Sequence, residues 1–384
     1  MTLPSAFDRL RGLLTDLTPP LGLDPIHLHL GEYKAQLPPE FLTALSHSDG
    51  WLRYPPLGGT QDLMNAYSGW LMRRFSASVR ELEVEPAPGA KQAIAITITQ
   101  SVFRARVRGV TDPVVLLPNP FYPTYHAACT AIGVRIEWYS PDNAGSVRPI
   151  ELALRKVGKH ACAIVVCNPG NPSGCCLTKD ALVTLSQRSS VGHATVIVDE
   201  CYIESFFDYV PDGFLSVVGA LDGGADFLVL HSLSKRSGVA GFRSAFVTGS
   251  PTVVREYANY NRTCGVSIPA PICTTSAALW RDQVHVERMQ STLNRNWQLA
   301  DEYLANLKQY SRSQAGLFIW LPVADDEAVC RRLWKEYAVM AMPGRYLSTV
   351  DDQGFDPGAN FIRIALVHEE PMMRAALVRL RQAL

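Results

Sequence analysis

Three apolar runs in the middle of this chain each end in a cluster of polar residues, and that arrangement restricts the fold more than any other feature. Cys162 to Cys167 runs into Asn168-Pro169-Gly170-Asn171-Pro172-Ser173-Gly174. Thr195 to Val198 runs into Asp199-Glu200-Cys201-Tyr202, and Phe227 to Leu230 into His231-Ser232-Leu233-Ser234-Lys235. Short, unbroken apolar runs of this kind read as strands buried on both faces. Val114 to Leu117, Val134 to Tyr139 and Ser244 to Thr248 read the same way. Helical stretches alternate with them: Gln61 to Phe75, with Leu63, Tyr67, Trp70 and Leu71 on one stripe, Gln92 to Arg104, and Lys179 to Gln187. The alternation predicts an α/β fold, a largely parallel sheet with crossover helices. Ligands of such sheets bind beyond the carboxyl ends of the strands. Asn171, Asp199, Tyr202, Ser232 and Lys235 are therefore expected to line one crevice.

The flanks are different. The Pro-rich opening, Thr18-Pro19-Pro20 and Asp24-Pro25, reads as an irregular arm. Thr274 to Tyr310 is long, charged and helical. Gly316 to Leu321, Ala338 to Met342, Phe361 to Leu366 and a terminal helix from Pro371 are α+β in character. The expected division is residues 1–45 as an arm and part of a small domain, 46–275 as a large domain, and 276–384 as a small C-terminal domain.

Composition narrows the function. Hydrophobic residues make up 47% of the chain, enough for a sizeable core, and Lys plus Arg balance Asp plus Glu at 36 each. Without a basic excess, nucleic acid is not an expected partner. The longest strongly apolar run, Ala161 to Cys167, is too short to span a membrane, and Met1 to Leu14 has no basic leader. Nine cysteines without a Cys-x-x-Cys pair fit reduced thiols in a cytoplasmic protein. A dinucleotide-dependent dehydrogenase would show a Gly-x-Gly-x-x-Gly turn after an early strand, and none is found.

Taken singly, the polar residues have plain explanations. An Asn-Pro-Gly-Asn-Pro run is usually a turn, an aspartate after a strand usually a cap, and a lysine usually a solvated charge. Together they make the parts of a pyridoxal-phosphate (PLP) site: a lysine for an imine, a carboxylate for the pyridine nitrogen, donors for the phenolic oxygen, and hydroxyls with an arginine for the phosphate. Lys235, Asp199, Asn171 with Tyr202, and Ser232 with Arg243 fill those places.

Asn168 to Gly174, the Asp-x-x-Tyr of Asp199 to Tyr202, and Ser-x-x-Lys followed eight residues later by Arg243 resemble the core motifs of class I/II aminotransferases of PLP fold type I. The resemblance runs from about Asp24 to the end. It implies a large domain with a mostly parallel central sheet beside a smaller α+β domain. Lys235 would hold PLP as a Schiff base, with Asp199 and Tyr202 as further catalytic residues and no metal. Gly89-Ala90-Lys91 resembles the family's phosphate-cradling turn, and Ser234 joins the cofactor-binding set. Tyr122 matches the ring that stacks on the cofactor. Tyr54 matches a tyrosine supplied by the neighbouring subunit, which implies a homodimer. Gly31, Asn171 and Arg363 match the residues that take the substrate's α-carboxylate.

Within the family, Ser232 to Ser237, Phe361 to Val367 and Met342-Pro343-Gly344-x-Tyr346-Leu347 are most similar to bacterial succinyldiaminopimelate aminotransferases. That implies lysine biosynthesis, with N-succinyl-L,L-diaminopimelate, glutamate and 2-oxoglutarate as substrates in a ping-pong reaction. Tyr33 and Ala35-Gln36 depart from that subgroup. Tyr33, Lys34, Arg262 and Arg345 are candidates for reading the distal end of the substrate, with a surface or structural role the stronger expectation for each. The alternatives are an aspartate or aromatic aminotransferase, or a lyase or decarboxylase of the same fold.

Overall fold

The computed structural model describes residues 5–33, 37–46, 49–76, 82–218 and 226–384. The first part of the chain holds α1 (Ala6–Leu14), β1 (Ile26–His27), α2 (Glu40–Ser46) and α3 (Gln61–Phe75). Then come β2 (Glu83–Ala87), α4 (Ala90–Val107), β3 (Val114–Pro118), α5 (Pro123–Ala131), β4 (Arg135–Tyr139), α6 (Arg148–Val157) and β5 (Ala161–Cys167). They are followed by α7 (Lys179–Gly192), β6 (Thr195–Asp199), α8 (Leu215–Val218), β7 (Phe227–Ser232), α9 (Leu233–Arg236) and β8 (Ala245–Gly249). The last part holds α10 (Pro251–Thr263), α11 (Ala270–Arg281), α12 (Val284–Leu304), β9 (Phe318–Pro322) and α13 (Asp326–Tyr337). It ends with β10 (Val339–Met340), β11 (Met342–Pro343), β12 (Phe361–Ala365) and α14 (Glu370–Ala383).

Seven strands form one sheet in the order β2-β8-β7-β6-β5-β3-β4. β7, β6, β5, β3 and β4 are parallel to one another, while β8 runs antiparallel to both β7 and β2. Side chains alternate between the two faces, as the pleat requires. Val114, Leu116, Ile164, Val196 and Val229 pack under α3, α6, α7 and α11. Val115, Leu117, Val165, Ile197 and Leu228 pack under α4, α5 and α10. Each of these side chains contributes about 1.5–3 kcal/mol by leaving water, which is why the middle of the sheet holds its register. Cys167 pairs with Asp199 and Asp199 with Leu230, so the carboxyl ends of β5, β6 and β7 lie level.

Local signals set the helix ends. Thr60 and Thr178 accept hydrogen bonds from the amides of Leu63 and Ala181, each at 3.2 Å, and so start α3 and α7. β11, β12 and β9 make a small antiparallel sheet, and α12, α13 and α14 cover it around Trp297, Leu333, Ile364 and Leu377. β1 pairs with β10, and α1 docks Ala6, Leu10 and Leu14 against Met342, Tyr346 and Leu347. The Pro-rich stretch from Thr18 to Pro25 is irregular, as expected, and α1 precedes it. Ala277, Leu279 and Trp280 of α11 stay in the large core, so we place the division between domains at Asp282–Gln283 rather than at 275. Leu37, Phe41 and Leu45 also pack on the large core.

Candidate active site

The level ends of β5, β6 and β7 open into a cavity of about 320 Å³ between the two domains. Of the residues singled out in the sequence, Gly31, Ala90, Lys91, Tyr122, Asn171, Asp199, Tyr202, Ser232, Ser234, Lys235, Arg243 and Arg363 all line it. Gly89 stands just behind, and Tyr54 is fully exposed elsewhere.

Lys235 lies on the single turn of α9 that follows β7 directly, so the strand end aims it into the crevice. Its Nζ donates to the Gly31 carbonyl. Burial lowers its pKa to about 8, because a charged ammonium loses hydration there. Near neutral pH such a lysine holds a sizeable fraction of free amine, the nucleophilic form.

Asp199 ends β6, and two donors fix its carboxylate. The Tyr125 hydroxyl donates to Oδ2 at 2.7 Å, and the Cys201 amide donates to Oδ1 at 3.1 Å. The next residue, Glu200, points to the opposite face of the sheet. There it accepts from the Phe214 amide at 2.6 Å and from His231 Nε2 at 2.9 Å. The Tyr67 hydroxyl bridges His231 Nδ1 and Thr248 Oγ1 at 2.7 and 2.8 Å. This buried chain ties the ends of β6, β7 and β8 to α3 and holds Asp199 and Lys235 in register.

At one end of the cavity, Arg363 of β12 is 4% exposed. It donates to Asn171 Oδ1 and to the His29 carbonyl, both at 3.0 Å, and lies 4.2 Å over the Phe318 ring. Its Nε has no partner among the described residues. Burial lowers even this guanidinium to about 10, so the site favours an anion that would restore its charge balance. Asn171 also donates to the Tyr202 hydroxyl at 3.2 Å. Burial raises the Tyr202 phenol well above its ordinary range, and raises that of Tyr122 to about 12.

At the opposite end, α4 begins at Gly89 with no side-chain cap, leaving its first amides free to meet an anion. Gly89 has φ +96, and a Cβ there would collide with the Arg243 guanidinium. Arg243 itself is held in the left-handed region at φ +52, a conformation that non-glycine residues keep where the surroundings enforce it. Ser232 and Ser234 add hydroxyls 3.1 Å apart. Lys91 sits 5.6 Å from the centre of the Tyr122 ring, its pKa lowered by burial and by Arg243. An anion cradle, a buried carboxylate, a reactive amine and a buried arginine thus lie in one space. The set fits a phosphorylated pyridine aldehyde together with an amino-acid carboxylate. No cluster suited to a metal occurs among the described residues.

The candidates for the distal end of the substrate take the structural roles expected of them where they are described. Arg262 donates to Glu85 at 2.8 Å outside the cavity. Arg345 is held by Asp326, whose side chain is fully buried, and by Glu327. Tyr33 is buried in the small-domain core, where loss of water raises its pKa to about 12. Lys34, Ala35 and Gln36 lie outside the described residues. Conversely, Phe7, Leu30, Glu32, Tyr125, Cys201 and Phe318 line the cavity without having been singled out as site residues. Tyr125 alone carried a usable signal, since it stands three residues after Tyr122 where a helix starts.

Fold and cavity fit a two-domain α/β enzyme with a phosphorylated carbonyl cofactor. Residues 24–380 match the model for aminotransferase class I and II. The chain belongs to that family, whose members depend on PLP, and it is a PLP-dependent aminotransferase. It is 27% identical over 92% of its length, and 92% of the relative's, to the 4-dedimethylamino-4-oxo-anhydrotetracycline transaminase of Streptomyces rimosus. It is 26% identical to the LL-diaminopimelate aminotransferase of Syntrophobacter fumaroxidans, covering 99% of this chain and 96% of that one. An aminotransferase structure from Neisseria meningitidis superposes with a TM-score of 0.89 at 28% identity, over 98% and 96% of the two chains. The N-succinyldiaminopimelate aminotransferase of Mycobacterium tuberculosis shares the fold, with a TM-score of 0.80 at 22% identity over 99% and 97%.

Proposed function

We propose that this aminotransferase holds PLP on Lys235 and passes an amino group from an amino acid to a 2-oxo acid such as 2-oxoglutarate. The observation that carries the assignment is the buried, weakly basic Lys235 sharing one cavity with Asp199 and Arg363. When bound, PLP supplies a carbonyl carbon for the amino group and a pyridinium ring that accepts negative charge from the substrate's α-carbon. The residues do the rest. Asp199, oriented by Tyr125 and the Cys201 amide, holds the ring nitrogen's proton. Asn171 and Tyr202 would donate to the phenolic oxygen, and Tyr122 would pack against the ring. Ser232, Ser234, Arg243, Lys91 and the amides after Gly89 and Ala90 hold the phosphate. Arg363, with Asn171 and the Gly31 backbone, grips the α-carboxylate. Lys235, its amine free, would be placed to move the α-proton as base and then acid. Arg363's hold on the carboxylate opposes its loss, which favours amino transfer over decarboxylation.

The donor we propose is N-succinyl-L,L-diaminopimelate, paired with glutamate and 2-oxoglutarate, in lysine biosynthesis. The three motifs around Lys235, Arg363 and Met342 support this, as does a relative named for LL-diaminopimelate. We further propose a homodimer in which Tyr54 reaches the partner's phosphate. Trp51, Leu52, Tyr54 and Leu57 form an exposed apolar stretch suited to such a contact. All nine cysteines are free, and no described helix is long and apolar enough to cross a membrane, which supports a cytoplasmic enzyme.

The donor is tested by adding N-succinyl-L,L-diaminopimelate, glutamate and aspartate separately to the PLP-loaded enzyme and following loss of the yellow absorption. Conversion by the succinylated donor at least about tenfold faster than by aspartate, a difference of ~1.4 kcal/mol in barrier, is the expected result. Conversion by aspartate alone would refute the donor and leave the aminotransferase chemistry standing.

A further inference from the structure

The mouth of the cavity is built partly by α1, an element more than two hundred residues from Lys235 in the chain. A capping box starts this helix: Ser5 Oγ accepts from the Asp8 amide at 3.2 Å while Asp8 accepts from the Ser5 amide at 3.3 Å. Ala6, Leu10 and Leu14 form the stripe that docks it on the small domain. Polar contacts secure it further. The Arg9 guanidinium lies 3.9 Å over the Tyr346 ring, and Arg331 grips Asp16 through two bonds of 2.8 and 2.6 Å. Phe7, next to the docking stripe, packs partly against the same cluster and is half-buried where it lines the cavity. Its ring meets His29 edge-on at 6.3 Å, and the His29 carbonyl is the one that anchors Arg363. Phe7 is therefore placed towards the carboxylate-binding end, and Leu30 lines the same cavity.

We propose that Phe7 is a specificity-determining residue: with Leu30 it forms an apolar wall for the aliphatic stem of the amino donor, so the enzyme selects long-stemmed amino acids over short ones. This rests on the reading of Arg363 as the carboxylate anchor and does not depend on the succinylated donor. Arg363 fixes the α-carbon, and the first three or so methylenes of the side chain then lie along the two apolar residues. Each methylene withdrawn from water there counts towards selection, and a pocket of this kind discriminates about 10–200-fold per group. Docking α1 on the small domain makes the wall part of the domain that carries Arg363.

The test compares norleucine and alanine as donors to the PLP-loaded enzyme, with 2-oxoglutarate as acceptor. The wild type is expected to prefer norleucine in kcat/KM. In Phe7→Ala the norleucine-to-alanine ratio falls about tenfold, through a higher KM for norleucine rather than a lower kcat, and Phe7→Leu recovers most of it. Arg331→Ala, which loosens α1 without touching the cavity, shifts the ratio the same way. An unchanged ratio in Phe7→Ala, a loss confined to kcat, or a Phe7→Leu no better than Phe7→Ala overturns the proposal. Failure to convert N-succinyl-L,L-diaminopimelate while the norleucine ratio responds to Phe7 would remove the proposed donor and uphold the wall.

Discussion

Lys235 is charged in water at any physiological pH, and the fold changes that. Burial brings its pKa from the ordinary 10.5 to about 8. The proton must leave before the amine can attack a carbonyl, so the free form is a minority below about pH 8 and dominates above it. Capture of PLP by the cofactor-free protein should accelerate about tenfold per pH unit up to about pH 8 and then level off. Stopped-flow absorbance across pH 6 to 10 checks this. A rate still climbing at pH 10 would mean the lysine keeps its ordinary basicity. The site residues at strand ends were legible in the sequence because an apolar run followed by Asp, Asn or Lys points to a strand's carboxyl end. Phe318 was not, since it reaches the cavity only through tertiary packing. The partners of Arg345 and Arg262 were hidden for the same reason: Asp326 and Glu85 are 19 and 177 residues away in the chain.

At the scale of elements, the packing of α11 on α3 holds the back of the site. Trp280 is fully buried against Tyr67 and Trp70, with ring centres 4.9 and 4.8 Å apart, and Tyr67 stacks on Phe246 at 3.9 Å. Tyr67 in turn belongs to the chain that reaches Glu200 beside Asp199. Trp280→Ala should cost about 3–5 kcal/mol of stability, read from the urea midpoint. A loss under about 1 kcal/mol would fall in the range of surface substitutions and contradict this role for α11. Helices with a clean apolar stripe were readable nearly end to end, as α3 shows. β2 was missed because it lies at the sheet edge, with charged Glu83 and Glu85 and with Pro86 within it. An edge strand tolerates a proline that an interior strand would not. The stripe of α1 was equally present in the sequence, but only its docking on Met342, Tyr346 and Leu347 gives it a reason to be a helix.

Across the whole molecule, the large domain supplies the sheet edge with Lys235, Asp199 and the anion cradle, and the small domain supplies Arg363 and Phe318. The cavity exists only where the two meet, with Asn171 of one bonded to Arg363 of the other. That division of labour explains why the reaction class was legible from the strand-end motifs while the substrate was not: the walls of the cavity converge from α1, the Gly31 segment and β9, far apart in the chain. The central claim is that Lys235 carries the cofactor, and the most direct test is chemical. The protein is loaded with PLP, reduced with borohydride to make the linkage permanent, digested and examined by mass spectrometry. The expected result is a single reduced pyridoxyl phosphate group on Lys235, lost when an amino acid is added before reduction. A label on another lysine, or one that an amino acid does not displace, would contradict the assignment of this site.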